Sequence, residues 1–145
     1  MFTGEYDSTI DDKNRVVLPS AFREAIDAAK EADKLYLSYV PDGCITICTE
    51  SEWQRCLEQL DAKPFAPEQM RRFRRHLSSM TQQGKYDKQG RLVLPPKLLQ
   101  ESKIEREVCI VGNLRVIEVW AKNIRDQRRA EDAGSFGKFM TELFG

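Results

Sequence analysis

The chain contains the same short phrase twice. Asp11-Asp12-Lys13-Asn14-Arg15-Val16-Val17-Leu18-Pro19 is matched 76 residues later by Asp87-Lys88-Gln89-Gly90-Arg91-Leu92-Val93-Leu94-Pro95. Both read Asp-x-x-(Asn/Gly)-Arg, three aliphatic residues, then proline. A second pair follows, Cys44-Ile45-Thr46-Ile47-Cys48 against Val116-Ile117-Glu118-Val119-Trp120, now 72 residues apart. Each half is therefore one similar unit, and this repetition narrows the fold more than any local propensity does. The fall in offset puts a small length change inside the unit.

Within a unit, Glu5 to Ile10 alternates like a strand, Asp11 to Asn14 is a polar turn, and a β-branched strand leaves from Arg15. The three together predict a hairpin-like element. Proline then ends the strand and suits a helix start, and Ala21 to Ala32 reads as helix. Leu35 to Val40 and Cys44 to Cys48 flank Pro41-Asp42-Gly43 as a second hairpin; its counterpart is Val108 to Val111 with Val116 to Trp120. Between units, Glu50 to Leu60 looks helical, Pro64 and Pro67 break the chain, and Glu68 to Ser79 predicts a basic helix. After Trp120 comes a charged helix, then Gly134-Ser135-Phe136-Gly137 and a tail whose Phe139, Met140, Leu143 and Phe144 have helical spacing. That tail is either frayed or docked on a neighbour. The expected organisation is a first unit with its following helix (1–60), a linker and basic helix (61–80), a second unit (81–122), and a C-terminal helix and tail (123–145).

Charge is segregated along this frame. The 23 Lys+Arg and 23 Asp+Glu cancel, yet residues 1–70 carry 7 basic and 14 acidic groups, residues 71–97 carry 8 basic and only Asp87, and residues 98–145 carry 8 of each. A basic block of this kind faces an external polyanion or neutralises an acidic segment of its own or a neighbouring subunit. For Arg71, Arg72, Arg74 and Arg75 the acidic protein partner stands ahead of DNA, because like charges so close on a short helix repel one another.

Enzyme chemistry finds little purchase. Cys44, Cys48, Cys56 and Cys109 lack CxxC spacing and His76 is the only histidine, so no metal or other cofactor is expected and the cysteines read as reduced, mostly buried thiols. No triad, phosphate-binding glycine loop or ligand spacing is present. No uncharged apolar run approaches the roughly 18 residues of a membrane span, and Glu5 follows Met1 too closely for a signal peptide, which points to the cytosol.

The repeated turn carries the chemistry. Asn14 and Gly90 are the residue types that most readily adopt a left-handed backbone, so one turn geometry serves both copies. Each turn offers a lysine, Lys13 or Lys88, and then an arginine, Arg15 or Arg91. Arginine presents a planar fork for a phosphate or the O6/N7 edge of guanine; lysine is a point charge suited to phosphate. Asp11 and Asp87, four residues earlier, accept turn N–H groups or pair with the guanidinium, and are read as orienting residues. Alone, each Asp–Arg pair would more simply close a turn; its repetition favours a binding role.

The opening Met1-Phe2-Thr3-Gly4-Glu5-Tyr6, both Asp-x-x-x-Arg elements, Cys44 to Trp53 and Ile117-Glu118-Val119-Trp120 resemble the MraZ family over roughly residues 1–122. The resemblance implies an α+β fold of two tandem pseudo-symmetric AbrB-like (SpoVT-AbrB) units, β-barrels of the swapped-hairpin type with flanking helices. It implies a cytoplasmic, nucleoid-associated transcription regulator that forms ring-like homo-oligomers. Its partner would be double-stranded DNA, at direct repeats upstream of the division and cell-wall gene cluster, its own promoter included. By position, the DNA-facing elements carried over are Asp11, Lys13, Arg15, Asp87 and Arg91, with Lys88 standing in where Gln89 replaces the first copy's Lys13. The alternative reading is an oligomeric protein-interaction module that does not bind DNA directly.

Overall fold

The computed structural model describes residues 1–145. In chain order the elements are β1 (Glu5–Thr9), β2 (Arg15–Val17), α1 (Ser20–Ala28), β3 (Leu35–Tyr39), β4 (Ile45–Thr49), α2 (Glu50–Asp61), α3 (Pro67–Ser79), β5 (Thr81–Gly84), β6 (Arg91–Val93), α4 (Pro96–Glu101), β7 (Glu107–Asn113), β8 (Val116–Ala121) and α5 (Lys122–Phe144). The fold is α+β. Pro19 caps α1 and Pro96 opens α4, where a missing N–H costs nothing. Both helices end alike, on a lysine in the left-handed region: Lys30 at φ 59° and Lys103 at φ 58°. The amides of Glu31 and Ile104 then reach back to Ile26 and Leu99, at 3.1 and 3.0 Å. α1 has 9 residues and α4 has 6, so most of the length change between repeats lies in this helix.

The repeats are interleaved. A six-stranded antiparallel sheet runs β1-β7-β8-β4-β3-β5, and β2 pairs with β6 in a separate two-stranded ribbon. Exchanging the two repeats turns that order into its own reverse, so the molecule has an internal pseudo-two-fold. β3–β4 and β7–β8 are the expected hairpins. The hairpin expected from β1 and β2 is absent: β1 pairs with β7 and β2 with β6, both in the other repeat. The turn at Asp11 to Asn14 redirects the chain from the six-stranded sheet to the ribbon. Nor is the barrel closed, since β1 and β5 remain free edges of the larger sheet.

One core fills the space between sheet, ribbon and helices. Val16, Leu18, Leu92 and Leu94 from the ribbon are fully buried, as are Leu35, Ile45, Ile47, Val108, Ile110 and Val119 from the sheet. Each contributes roughly 1.5–3 kcal/mol on removal from water. Phe2 and Tyr6 meet Phe22 edge-on at 5.5 and 5.4 Å, closing the core under the N-terminal segment. That segment passes so near Gly112 that a Cβ there would lie 2.5 Å from the Phe2 backbone. Cys44 and Cys109 pack with Trp120 in a smaller cluster. Cys44, Cys48 and Cys109 are buried and Cys56 is exposed. Burial foremost raises the thiol pKa values, pushing Cys48 up to about 12 and Cys109 to about 11.

α2 starts on Thr49, whose hydroxyl accepts the Glu52 N–H, with Glu50 and Glu52 in its positive first turn. Trp53 stacks flat on Tyr36 at 4.9 Å and holds α2 over β3. In α3, Arg74 pairs with Asp61 of α2, an acidic partner within the same chain. The helix and tail read separately from the sequence form one element: α5 runs unbroken through Gly134 and Gly137 to Phe144, in keeping with the helical spacing of the tail's apolar residues. No helix is long and apolar enough to cross a membrane.

Candidate nucleic-acid interface

Register decides what the β2–β6 ribbon presents. Arg15 lies opposite Val93, Val16 opposite Leu92, and Val17 opposite Arg91. With Val16 and Leu92 inward, strand alternation turns Arg15, Val17, Arg91 and Val93 outward. Val17 and Val93 are 48% and 55% exposed. The two arginines therefore share one surface, about 7 Å apart along the strands and about 5 Å across them. The lysines lie further out: Lys13 and Lys88 are exposed on turns at opposite ends of the ribbon.

The turns repeat atom for atom. Asp11 Oδ1 accepts the backbone N–H groups of Lys13 and Arg15, both at 2.9 Å, and Oδ2 accepts Arg15 Nε–H at 2.7 Å. Asp87 Oδ1 accepts those of Gln89 and Arg91 at 3.0 and 2.9 Å, and Oδ2 accepts Arg91 Nε–H at 2.7 Å. The two roles considered for these aspartates are filled by one carboxylate. Both carboxyls are held below their ordinary 3.8, foremost by the backbone N–H of the arginine four residues on; the guanidinium adds to it against a desolvation cost. Asn14 and Gly90 take φ 61° and 79°. Their carbonyls accept the amides of Leu94 and Leu18, at 2.8 and 2.9 Å, which lengthens the ribbon at both ends.

Each aspartate grips Nε, which leaves the terminal Nη groups outside the clamp. Arg15 donates to no other side chain, whereas Arg91 also donates Nη2–H to Gln89 Oε1 at 3.2 Å. The arginine side chains are 22% and 33% exposed. A major groove admits a two-stranded ribbon, and in general an Nη pair can meet phosphate oxygens or guanine O6/N7 and a valine a thymine methyl.

Sequence reasoning brings out all eight turn residues but passes over three neighbours. Val17 and Val93 form the apolar floor between the arginines, and the alternation Arg-Val-Val-Leu already implies that one valine of β2 faces out. Arg23 of α1 lies over Gly90, where an added Cβ would come within 2.5 Å of its Nε. The same Nε–H donates to Leu18 O at 3.0 Å. Nothing in the local pattern signals that contact.

Fold and surface together define a class: two interleaved repeats that jointly expose a double-arginine ribbon. The family model described as MraZ protein matches residues 1–76 and again 77–140, and the chain belongs to the MraZ family. It is 32% identical over 143 residues to a protein named transcriptional regulator MraZ from Desulforamulus reducens, covering 99% of this chain and 97% of that one. Proteins of the same name from Caldanaerobacter subterraneus subsp. tengcongensis and Heliobacterium modesticaldum are 30% and 32% identical over 143 residues, covering 99% of this chain and 96% of each.

Proposed function

We propose that this chain is a transcription regulator that binds double-stranded DNA sequence-specifically through the β2–β6 ribbon. It acts as a ring-like homo-oligomer on short direct repeats upstream of the division and cell-wall gene cluster, including its own promoter, in the cytoplasm at the nucleoid. The observation that carries this reading is the pair of arginines clamped at Nε on the outward face of one ribbon, with Nη groups that the clamp does not use. The naming of the full-length relatives supports it. Lys13, Arg15, Lys88 and Arg91 give a subunit about four cationic contacts, worth a salt slope of about −3.6. That alone is weak. Several subunits on successive repeats raise avidity by about 10²–10⁴, and the acidic and basic segments supply complementary surfaces for assembly, so high salt is expected to dissociate the oligomer.

The test is a salt titration of binding to duplexes carrying two to four direct repeats against a scrambled duplex of equal length. Tighter binding to the repeats is expected, and equal affinity for both would remove the claim of specificity. Replacing Arg15 and Arg91 together by Ala is expected to lower affinity at least tenfold with fold and oligomer intact. Negligible DNA affinity in the unaltered chain would instead favour a pure protein-interaction module.

A further inference from the structure

Beyond residue 131, α5 leaves the body of the molecule. Its last anchors are Arg125 and Arg129, both on Glu5 of β1, and nothing lies within 4 Å of a Cβ placed at Gly134 or Gly137. Residues 132–144 extend the helix by about 20 Å. Phe136, Phe139, Met140, Leu143 and Phe144 fall at i, i+3, i+4, i+7 and i+8, a single stripe between 42% and 78% exposed. A short helix holding two glycines and lacking tertiary contacts is marginal in water, since each glycine weakens a helix relative to alanine. This stripe requires a cover.

A matching cleft lies on the other half of the sheet. Between α2, α3 and the β3–β4 face is a groove of about 640 Å³, with 10 of its 15 lining residues hydrophobic. Trp53, Leu57, Leu60, Phe65, Phe73 and Leu77 form its walls, and Phe65 and Phe73 are 50% and 52% exposed. α5 cannot fill it within one chain. Glu5 and Asp7 hold the helix at β1, the opposite edge of the sheet from β5 and β3, and an unbroken helix does not double back. Charge agrees with the match: Arg71, Arg72 and Arg75 of α3 have no ion-pair partner in their own chain, and neither has Glu142 on the free end of α5, while Arg74, Glu131 and Asp132 are already paired.

We propose that the α2–α3 groove receives the C-terminal half of α5 from a second copy of this chain, with Phe139 and Leu143 entering between Leu57 and Phe73. The contact is head-to-tail: each copy gives its helix to one neighbour and its groove to the other, and copies add until the rotation closes a ring. This assignment rests on the ring-like assembly proposed above and names its interface.

Phe139→Glu and Phe73→Glu each alter an exposed side chain and test it by sedimentation mass of the full chain. The wild type is expected at a multiple of 16.8 kDa and each variant at a single subunit. Mixed, the variants retain one intact helix and one intact groove, and a 1:1 dimer is expected. Variants that keep the wild-type mass, or a mixture that stays monomeric, overturn the assignment; loss of mass in Phe73→Glu alone gives the groove to another segment and overturns it too. A wild type that sediments as one subunit overturns the ring itself, so the two failures are told apart. Circular dichroism checks folding, and should Phe73→Glu unfold, Phe65→Glu enters the same mixing experiment.

Discussion

Asp11 and Asp87 each bind two backbone amides and one guanidinium, so their removal has opposing consequences for DNA. Losing an acid beside a polyanion strengthens non-specific attraction, whereas freeing the arginine loosens the geometry that reads a site. Asp11→Asn and Asp87→Asn are therefore expected to lower affinity for the repeat duplex by about tenfold, roughly the 1–3 kcal/mol of one base contact, while binding to scrambled DNA holds or rises. Parallel titrations on the two duplexes check this. The pH dependence follows from the same clamp. With folded pKa values below the ordinary 3.8, its contribution is complete above that value and is lost as pH falls through the lowered ones. Backbone substitutions divide similarly. Gly90→Ala strains a φ of 79° and drives a methyl into Arg23, so thermal unfolding is expected at lower temperature. Lys30→Gly and Lys103→Gly relieve left-handed lysines and are expected to gain about 0.5–1 kcal/mol each by urea denaturation.

Among the elements, the clamp from α5 to β1 is sensitive to acid. Burial opposes ionisation of Glu5, yet hydrogen bonds and charge from Arg125 and Arg129 outweigh it and hold the carboxyl below its ordinary 4.5. The contribution is present above 4.5 and lost as pH falls through the lowered value. Glu5→Gln is expected to cost about 1–2 kcal/mol at neutral pH and to flatten that acid dependence, as followed by urea midpoints between pH 3 and 7. Elements were unevenly legible. β3–β4 could be read because Pro41-Asp42-Gly43 is a turn between two apolar runs, and α2 and α3 because Pro64 and Pro67 break the chain between them. Partnership could not. Asp11 to Asn14 looks like a hairpin turn, and only the pairing of β2 with β6 of the other repeat shows that it is a crossover. Gly134 and Gly137 look like a stop, although the apolar spacing across them runs on in helical phase.

For the whole molecule, interleaving means that neither repeat owns a complete sheet. β1, β2, β3 and β4 each pair with a strand of the other half. The two halves are expected to unfold as one unit. Trp53 lies in the first and Trp120 in the second, so the single-tryptophan variants Trp53→Phe and Trp120→Phe should give coincident urea transitions by fluorescence and by circular dichroism. The candidate site was legible in chemistry and not in assembly: the turn residues stood out by repetition, whereas their meeting on one ribbon depends on strand exchange between stretches 76 residues apart. That near-symmetry is incomplete in one respect. The first turn balances Asp11 and Asp12 against Lys13 and Arg15, while the second sets Asp87 against Lys88 and Arg91. Turning a subunit end for end restores the backbone but exchanges a neutral end for a positive one. Covalent linkage of diverged copies thus gives the ribbon a polarity that two identical half-chains could never possess, the property that the one-way ring and direct repeats proposed above would call on.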